Sequence, residues 1–324
     1  MSDEEQSVEN RSEIVLFYDA RDTNPNGDPL AADNPPRVDR HTQQAIVTDV
    51  RLKRYIRDEL FQQGHNILVK APTQMYDDVN MGAPSRDALV EDIVAAGEDG
   101  ATEFEAFLNV ATDVRYFGAT LSTDDVDAEL PSSITGAVQF THGRSLNPVS
   151  LNTESKRLST VIASDEGKGQ GTFATDNRLH YALIGFGGVV NENVAEQNNL
   201  TRDDVERLDT LLWDSITNQT TTRSKMGQTP RLYARIEYEG SNQYLGGSVE
   251  SGFEMESDMA LEAVRNPGDY TVNATEFVKQ LEQVTENIDT IHLRVNPQME
   301  FTVRNETYTG SELAEAFPVD VNEV

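Results

Sequence analysis

The alternation of apolar and polar positions divides the chain into a few strands and amphipathic helices. The β-branched and aromatic run EIVLFYDA at residues 13–20 is typical of a buried strand. A helix is predicted over residues 201–219, with Thr201 as its N-cap and an apolar stripe that includes Leu208 and Leu212. The same criteria predict further strands at residues 133–149, 178–190, 231–239, 289–295 and 299–304, and a further helix at residues 275–285.

Between the first strand and the first helix lies an unusually long connection. The stretch NPNGDPLAADNPPRVDRHT, residues 24–42, has nineteen residues, whereas most such connections have about 2–6. The following helix is predicted to begin after Thr42 as N-cap and to end at Gly64. The prolines and the Asn26-Gly27 pair favour a preshaped loop over a plain spacer.

Two segments depart from this pattern. Residues 66–123 mix irregular stretches with short helical pieces, which is typical of an insertion carried on a main domain. Residues 150–177 are rich in Ser, Thr, Gly and Asp, and RLSTVI (157–162) and GTFAT (171–175) can form the two arms of a hairpin. The order of the remaining elements predicts an α+β core of the ferredoxin-like (RRM-like) type.

The net charge of the chain is more informative about its function than its overall composition is. The 324 residues carry 26 Lys and Arg against 56 Asp and Glu, a formal net charge of −30, and the basic residues are mostly arginine. We interpret this acidity as adaptation to high salt, which screens repulsion between carboxylates. The acidity therefore does not exclude nucleic-acid binding.

The same composition narrows the chemistry and the cellular location. The absence of cysteine excludes disulfides, thiolate metal sites and cysteine nucleophiles. The acidic start of the chain does not resemble a signal peptide, and no apolar run approaches the ~20 residues that span a bilayer. We therefore expect a cytoplasmic protein.

Basic residues concentrate in three islands. The first spans residues 37–57, the second spans residues 219–235 and contains no acid, and the third is spread over residues 144–178. One interpretation is a track that grips the phosphates of a nucleic acid. The alternative is a set of surface ion pairs, each contributing ~0–1 kcal/mol. Ion pairing is the better interpretation for any single arginine, and the track is favoured for the second island.

Enzymatic alternatives find less support. The carboxylates near the loop, Asp19, Asp22, Asp28 and Asp39, follow no metal-binding motif, and no two histidines are four residues apart. The sequence GKGQG (167–171) lacks the spacing of a phosphate-binding loop, and GFGG (185–188) fits close packing within a strand. No nucleophile signature is present. We expect no cofactor and no metal.

The sequence resembles the major backbone subunit of type I CRISPR effector complexes, of the I-B/I-C branch of the Cas-seven (RAMP) family. The motifs that carry the resemblance are LFYDARDTNPNGDP, NPPRVDRHTQQAIVTDVRLKRYIRD, RYFGATLS, ITGAVQFTHGRSLNPV and YALIGFGG, and the similarity covers roughly residues 13–255. Together with the acidity, it indicates a haloarchaeal member.

The resemblance implies a fold and a function. The fold is an RRM-like palm with an inserted finger region and a thumb hairpin. The implied function is non-catalytic: copies assemble into a helical filament along one CRISPR RNA and present guide segments to target DNA. Other Cascade subunits, namely the repeat-handle-binding subunit, the large subunit and indirectly the helicase-nuclease, are the expected partners. The implied divisions are a disordered acidic N-terminus (1–12), palm (13–65, 124–149, 178–310), finger (66–123), thumb (150–177) and an acidic tail (311–324).

The residues expected to bind RNA come from the long loop, the basic islands and the thumb. They are Asn24, Asn26, Arg37, Arg40, Arg51, Arg54, Arg144, Lys156, Arg157, Lys168, Arg178, Arg223 and Lys225. The aromatic signature of RNA-binding RRM sheets is missing, so we expect the backbone of the RNA to be gripped. The alternative is a metal-dependent endoribonuclease that uses a loop aspartate, as type III relatives do.

Overall fold

The computed structural model describes residues 7–69, 90, 93, 102–121, 130–152, 157–159, 173–220, 222, 224–240 and 249–324. The strands are β1 (Ser12–Thr23), β2 (Gln44–Val47), β3 (Gly118–Thr120), β4 (Ser133–Thr135), β5 (Val138–Phe140), β6 (Gly143–Pro148), β7 (Arg157–Ser159), β8 (Phe173–Thr175), β9 (Leu179–Val190), β10 (Gln228–Tyr238), β11 (Glu254–Glu256), β12 (Thr271–Asn273), β13 (Ile288–Val295), β14 (Glu300–Val303), β15 (Glu306–Thr309) and β16 (Val321–Glu323). The helices are α1 (Asp49–Gln62), α2 (Glu103–Val110), α3 (Thr112–Phe117), α4 (Glu192–Gln197), α5 (Arg202–Thr217) and α6 (Thr275–Gln283).

A single eight-stranded sheet organises the described part of the chain. Its strand order is β16-β13-β10-β1-β9-β6-β2, and β5 also pairs with β9. The first strand, β1, lies at the centre and pairs antiparallel with both β9 and β10. The mixed α/β fold expected from the sequence is confirmed at this level.

The central strand divides the interior into two cores, one on each face of the sheet. Ile14, Leu16 and Tyr18 face a core that includes the apolar faces of α1 and α5. Val15 and Phe17 point the other way, into a core built with residues 253–317. Because side chains alternate along a strand, this division follows directly from the uninterrupted apolar run of β1.

Residues 253–283 and 299–317 form a second layer over the sheet, while β13, which lies between them in the sequence, belongs to the central sheet. The second layer contains α6 and a four-stranded sheet of order β11-β12-β14-β15. Buried aromatic side chains join this layer to β1, since the rings of Phe17 and Phe253 meet edge to face with centroids 5.1 Å apart. Both faces of the central sheet are therefore covered.

The region predicted as an insertion has a core of its own, and the predicted hairpin forms in part. Leu68, Phe107 and Val114 belong to a small separate cluster of buried residues. β7 and β8 pair antiparallel, with Arg157 opposite Thr175, as the two predicted hairpin arms require.

The start of the first helix differs from the prediction. The N-cap of α1 is Thr48, whose side chain accepts a hydrogen bond from the Arg51 backbone N–H, and Thr42 lies outside the helix. The intervening residues 44–47 form β2 because β6 pairs with them. Long-range strand pairing therefore overrides a locally helical sequence.

The described residues near both ends of the chain are more ordered than expected. In the segment predicted to be disordered, Ser7 forms a β-bridge with Thr201, and the Arg11 guanidinium binds the Glu192 carboxylate at 2.9 Å. In the segment predicted to be an acidic tail, β16 pairs parallel with β13 and Leu313 is fully buried. Backbone pairing and an ion pair therefore hold the first segment, and strand pairing with a buried leucine holds the second.

Candidate nucleic-acid-binding surface

The long loop after β1 is held in shape by its own asparagines. The Asn26 side-chain oxygen accepts hydrogen bonds from the Thr48 backbone N–H at 2.8 Å and from its hydroxyl at 3.0 Å, which fixes the loop to the start of α1. The Asn24 amide donates to the Asn34 carbonyl at 2.9 Å. Both asparagines are buried, so the structure places their side chains within the loop and not on its surface.

The chain reverses at the far end of this loop. Gly27 and Pro36 form a β-bridge, and the left-handed residues are Asp33 and Asn34, with φ of 63° and 46°. The turn therefore does not lie at the Asn-Gly pair. Gly27 instead leaves room for the Asn34 side chain, because a Cβ there would lie 2.3 Å from its oxygen.

Asp28 and Asp39, the loop aspartates that a nuclease would use, accept hydrogen bonds from backbone N–H groups of the loop. An Asp28 carboxylate oxygen accepts from the Leu30 backbone N–H at 3.1 Å. The Asp39 carboxylate accepts from the backbone N–H groups of His41 and Thr42, and these bonds lower the pKa of Asp39. Within the described residues, no group of three or more His, Asp or Glu is arranged to hold a metal ion.

The second basic island meets this loop through Lys225. Its ammonium group donates to the backbone carbonyls of Asn24 and Pro25, the latter at 3.1 Å. The Ser224 carbonyl accepts from the Asn24 N–H at 3.0 Å, so two segments about 200 residues apart run side by side. Gly227 permits this approach, because its φ is 100° and a Cβ would lie 2.3 Å from the Arg21 carbonyl.

Arg51 of α1 lies close to Lys225. Its guanidinium sits 5.8 Å from the centre of the Tyr55 ring, and the Tyr55 hydroxyl donates to the Pro25 carbonyl at 3.1 Å. Burial, with a further contribution from the charge of Arg51, lowers the pKa of Lys225 to about 7. Two cations from different islands are thus held together at the base of the loop.

Three further predicted cations lie along the returning arm of the loop and on β6. The Arg37 side chain donates to the Gly27 carbonyl at 3.3 Å, which leaves it half-buried. Arg40 is exposed and forms no ion pair with a residue that the structure describes. Arg144 lies 3.4 Å from the Asp39 carboxylate.

The base of the hairpin lies against the same loop. The Arg178 guanidinium donates to the Asp22 carbonyl at 2.8 Å and pairs with the Asp176 carboxylate at 2.8 Å. The Asn177 amide donates to the Asp33 carbonyl, also at 2.8 Å. The loop, the start of α1, the turn at residues 224–227 and the hairpin base therefore form one surface.

Other predicted RNA-binding residues lie elsewhere or cannot be placed. Arg54 pairs with Asp58 one turn further along α1, at 2.6 Å. Lys156, Lys168 and Arg223 lie outside the described residues, and only the backbone of Arg157 is described.

Several cations of the islands have structural roles, contrary to the interpretation of those islands as a continuous track. Lys53 is buried and donates to the Gln139 side chain at 2.7 Å. Arg57 pairs with the fully buried carboxylate of Asp113 at 2.8 Å. These contacts fix α1 to neighbouring segments, so Arg51 and Arg54 are the cations of the first island on α1 that remain candidates for RNA binding.

The second island loses two cations in the same way. Arg231 pairs with Asp19 at 2.6 Å and Arg235 pairs with Asp209 at 2.7 Å, and all four side chains are buried. The absence of acids from the local sequence was misleading, because the partner carboxylates come from other segments of the fold.

Sequence reasoning also missed a group of basic side chains at the hairpin base. Arg21 donates to the Asn266 side chain at 2.7 Å, and a guanidinium nitrogen of Arg265 lies 3.5 Å from the Ser150 hydroxyl. The His180 backbone N–H binds the Ser150 carbonyl. No local pattern marks these residues, since they come together only through the fold.

The glycines of β9 support packing rather than nucleotide binding. A Cβ at Gly185 would lie 2.4 Å from the Phe17 ring, and one at Gly188 would lie 2.6 Å from the Phe140 ring.

None of the described helices combines the length and the apolar character needed to cross a bilayer.

The comparisons with known proteins agree with one another, because each match is to a CRISPR-associated protein or complex. The sequence model of the family described as CRISPR-associated protein Cas7 matches residues 10–275. The chain is 43% identical over 323 residues to the CRISPR-associated protein Cas7 of Haloferax volcanii, covering 94% of this chain and 92% of that protein. A chain of a CRISPR RNA-guided surveillance complex in its pre-nicking state superposes with a TM-score of 0.50 and 14% identity, over 97% of this chain and 96% of that chain. A chain of another CRISPR RNA-guided surveillance complex gives 0.47 and 15%, over 96% and 94%.

Proposed function

The chain belongs to the CRISPR-associated Cas7 family, and we propose that it is a non-catalytic, CRISPR RNA-binding backbone subunit of a type I-B surveillance complex. Copies of the chain line one guide RNA and present its segments for pairing with target DNA. The repeat-handle-binding and large subunits of Cascade are its further partners, and the helicase-nuclease acts through the assembled complex. No cofactor takes part.

One observation carries this proposal beyond family membership. In a chain with a net charge of −30, two basic islands meet where the Lys225 ammonium binds the Asn24 and Pro25 carbonyls next to Arg51. Arginine and lysine at such a site bind phosphates through charge-assisted hydrogen bonds. High salt weakens the contribution of counterion release, so a preshaped loop and directed hydrogen bonds have to supply more of the affinity.

The strand order supports an RRM-like palm. Strands β10-β1-β9-β6, with α1 and α5 packed on one face, follow the arrangement of a ferredoxin-like core. Residues 13–65, 124–149 and 178 onwards are the palm in this proposal, residues 66–123 the finger and residues 150–177 the thumb. The second layer covers the sheet face on which a typical RRM stacks bases. We therefore assign the RNA to the loop surface, with its backbone gripped.

The proposed contacts divide into two roles. Asn24 and Asn26 shape the loop, because their buried side chains are bonded within it or to Thr48. The side chains proposed to contact RNA phosphates directly are Arg37, Arg40, Arg51, Arg54, Arg144, Arg178 and Lys225, together with Arg223 and the thumb residues Lys156, Arg157 and Lys168.

The absence of catalysis in the proposal rests on how the loop aspartates are bonded. Asp28 and Asp39 accept backbone N–H groups, and Asp39 also lies 3.4 Å from the Arg144 guanidinium. A metal-dependent nuclease needs carboxylates that converge on an ion. These two carboxylates instead stabilise turns.

Purification from a CRISPR-containing host tests the proposal. The wild-type chain is expected to carry RNAs of uniform, repeat-derived length, and Arg51→Glu is expected to lose most of them. Arg304→Glu is the matched control, because Arg304 is equally charged, lies on the second layer and pairs with Glu282. Melting curves show whether each variant is folded. Wild-type protein that carries no RNA, or that cleaves RNA with added Mg²⁺ until Asp39 is replaced by Ala, contradicts the proposal.

A further inference from the structure

The tip of the long loop presents an apolar tetrapeptide to solvent. Residues 29–32 read Pro-Leu-Ala-Ala and lie between Asp28 and Asp33. Leu30 is 96% exposed, more than any other large hydrophobic side chain that the structure describes. Isolated exposed leucines are common, so the exposure alone means little. The hydrogen bonds around this tip are what distinguish it.

Hydrogen bonds hold the tip on every side. The Ala31 N–H donates to the Asp28 carbonyl and the Asn34 N–H to the Ala31 carbonyl, each at 3.2 Å. The hairpin base supports the tip through Asn177, which donates to the Asp33 carbonyl at 2.8 Å. Leu30 is thus presented at a fixed position without an intramolecular contact to stabilise it. A pre-organised apolar side chain of this kind is typical of an anchor that enters a partner's pocket.

A matching cleft lies elsewhere on the same chain. It has a volume of about 750 Å³ and opens between β6 and the second layer. Its apolar lining comes from Leu146, Phe253, Met255 and Leu261, and Gly185 of the central sheet contributes no side chain. This space is large enough for the four small residues of the tip.

One wall of the cleft carries charge of the sign opposite to that of the tip. Arg144 and His142 line the wall formed by residues 141–146, with side chains 51% and 59% exposed. The tip carries exposed Asp33 on one side and Asp28, 40% exposed, on the other. Two carboxyls line the opposite wall: Glu254, which is exposed, and Glu250, whose pKa is raised by burial.

We propose that the Pro29–Ala32 tip of one copy of this chain docks into the Leu146–Leu261 cleft of the next copy, with Leu30 as the buried anchor. The proposal rests on the proposed function, in which copies lie side by side along an RNA. The two surfaces are different patches of the chain, so the contact is heterologous. Heterologous contacts that do not close into a ring produce open helical assemblies.

Cysteine cross-linking tests this contact cleanly, because the chain has no cysteine of its own. Leu30→Cys and Leu261→Cys variants are co-expressed with different tags, purified as the RNA-bound assembly and treated with a short bismaleimide. A cross-linked dimer that carries both tags is expected. The matched control replaces Leu261→Cys by Thr307→Cys, since Thr307 is exposed on β15 at the far edge of the second-layer sheet. This pair is expected to show no cross-link.

A second variant separates docking from RNA binding. Leu30→Asp is expected to retain RNA binding by single subunits but to lose the long assemblies seen by light scattering. If this variant assembles like wild type and the 30–261 pair fails to cross-link, the docking contact is wrong while the proposed function stands. If wild-type protein carries no RNA and the 30–261 cross-link still forms, the proposed function fails and the contact stands.

Discussion

The ammonium group of Lys225 lies 3.1 Å from the backbone carbonyl oxygen of Pro25 and also binds the carbonyl of Asn24. The contact joins a turn late in the sequence to the loop that follows the first strand. It suggests two roles for Lys225 that can be tested separately. One is to hold the loop against the turn, and the other is to place a positive charge on the candidate RNA surface.

Replacing Lys225 by Ala is expected to loosen the loop locally. Burial lowers the pKa of Lys225 to about 7, so the cost of burying its charge offsets part of what its hydrogen bonds contribute, and we expect a smaller effect on global stability than on the loop. Without the ammonium group, the Asn24 N–H is expected to exchange faster in hydrogen–deuterium exchange, because its bond to the Ser224 carbonyl opens more often. Lys279→Ala is the control, an exposed lysine on α6. Unchanged hydrogen–deuterium exchange in residues 24–28 contradicts the role of Lys225 in holding the loop.

The charge of Lys225 predicts how RNA affinity depends on pH. The free protein holds this amine mostly protonated at about pH 6 and mostly neutral at about pH 8, because its pKa is lowered to about 7. RNA phosphates favour the protonated form, so binding takes up a proton and affinity falls as pH rises across this range. The measurement is RNA affinity at fixed salt for wild type and Lys225→Met. If the RNA affinity of the two proteins changes with pH at the same slope, Lys225 is not the group whose protonation is coupled to RNA binding.

Some elements were predictable because their signals are local. The apolar run of β1, the capping box of Thr201 and Asp204 at the start of α5 and the apolar face of that helix lie within short windows. The start of α1 was not predictable, since residues 44–47 become a strand only when β6, about 100 residues away, pairs with them. The hydrophobic pattern of a single sequence does not show which distant strand will pair with a given segment.

The same distinction applies to the basic islands, some of whose members are buried in ion pairs and some of which lie at the surface. Arg231 looked free of acids in the sequence, but its partner Asp19 lies 212 residues away. Conversely, the approach of Lys225 to the loop, which supports the RNA surface, spans a similar distance. Local charge counts therefore identify islands of basic residues but cannot separate buried pairs from surface cations. Distinguishing the two requires knowing that β1 and β10 are neighbours in the sheet, which brings Asp19 next to Arg231.

The buried pair of Asp209 and Arg235 is expected to be sensitive to truncation. Asp209 accepts two hydrogen bonds from Arg235, at 2.7 and 2.9 Å, and one from the Tyr233 hydroxyl at 2.5 Å. Asp209→Ala leaves the buried guanidinium with Glu237 as its remaining carboxylate partner, so the loss is expected near the lower end of the about 3–5 kcal/mol that breaking a buried ion pair costs. Glu276→Ala, which breaks an exposed pair with Lys279, is expected to cost less than about 1 kcal/mol. Urea unfolding at high salt measures both, and similar losses contradict the prediction.

Glu237 gives the fold a defined sensitivity to acid. A hydrogen bond with His292, together with bonds from Asn10 and Arg235, lowers the pKa of Glu237 to about 2. The folded pKa lies below the unfolded value of about 4.3, so the stabilisation is present above that value and is lost as the pH falls towards 2.

The test compares wild type with Glu237→Gln over a range of pH. The difference in unfolding free energy is expected to be about 1–2 kcal/mol above pH ~5, allowing for solvent screening of a partly exposed group, and to shrink below pH ~4. A difference that stays constant down to the acid transition contradicts the assigned role of Glu237.

Salt is expected to stabilise the protein through its surface carboxylates. With a net charge of −30, the folded chain repels itself, and this repulsion is screened as the Debye length falls from ~8 Å at 0.15 M to ~3 Å at 1 M salt. The melting temperature should therefore rise with KCl concentration over this range. Other effects of salt on hydration act in the same direction, so a variant that changes charge alone is needed.

The second-layer sheet offers such a variant. Glu254, Glu256 and Glu300 are exposed on its β11 and β14 strands. Replacing all three by Gln removes three negative charges while keeping side chains of nearly the same size. If repulsion is the cause, this variant melts higher than wild type in low salt, and the two proteins converge as KCl increases. A constant gap between the two melting curves, at every salt concentration, means that the rise with salt comes from hydration rather than from screened charge.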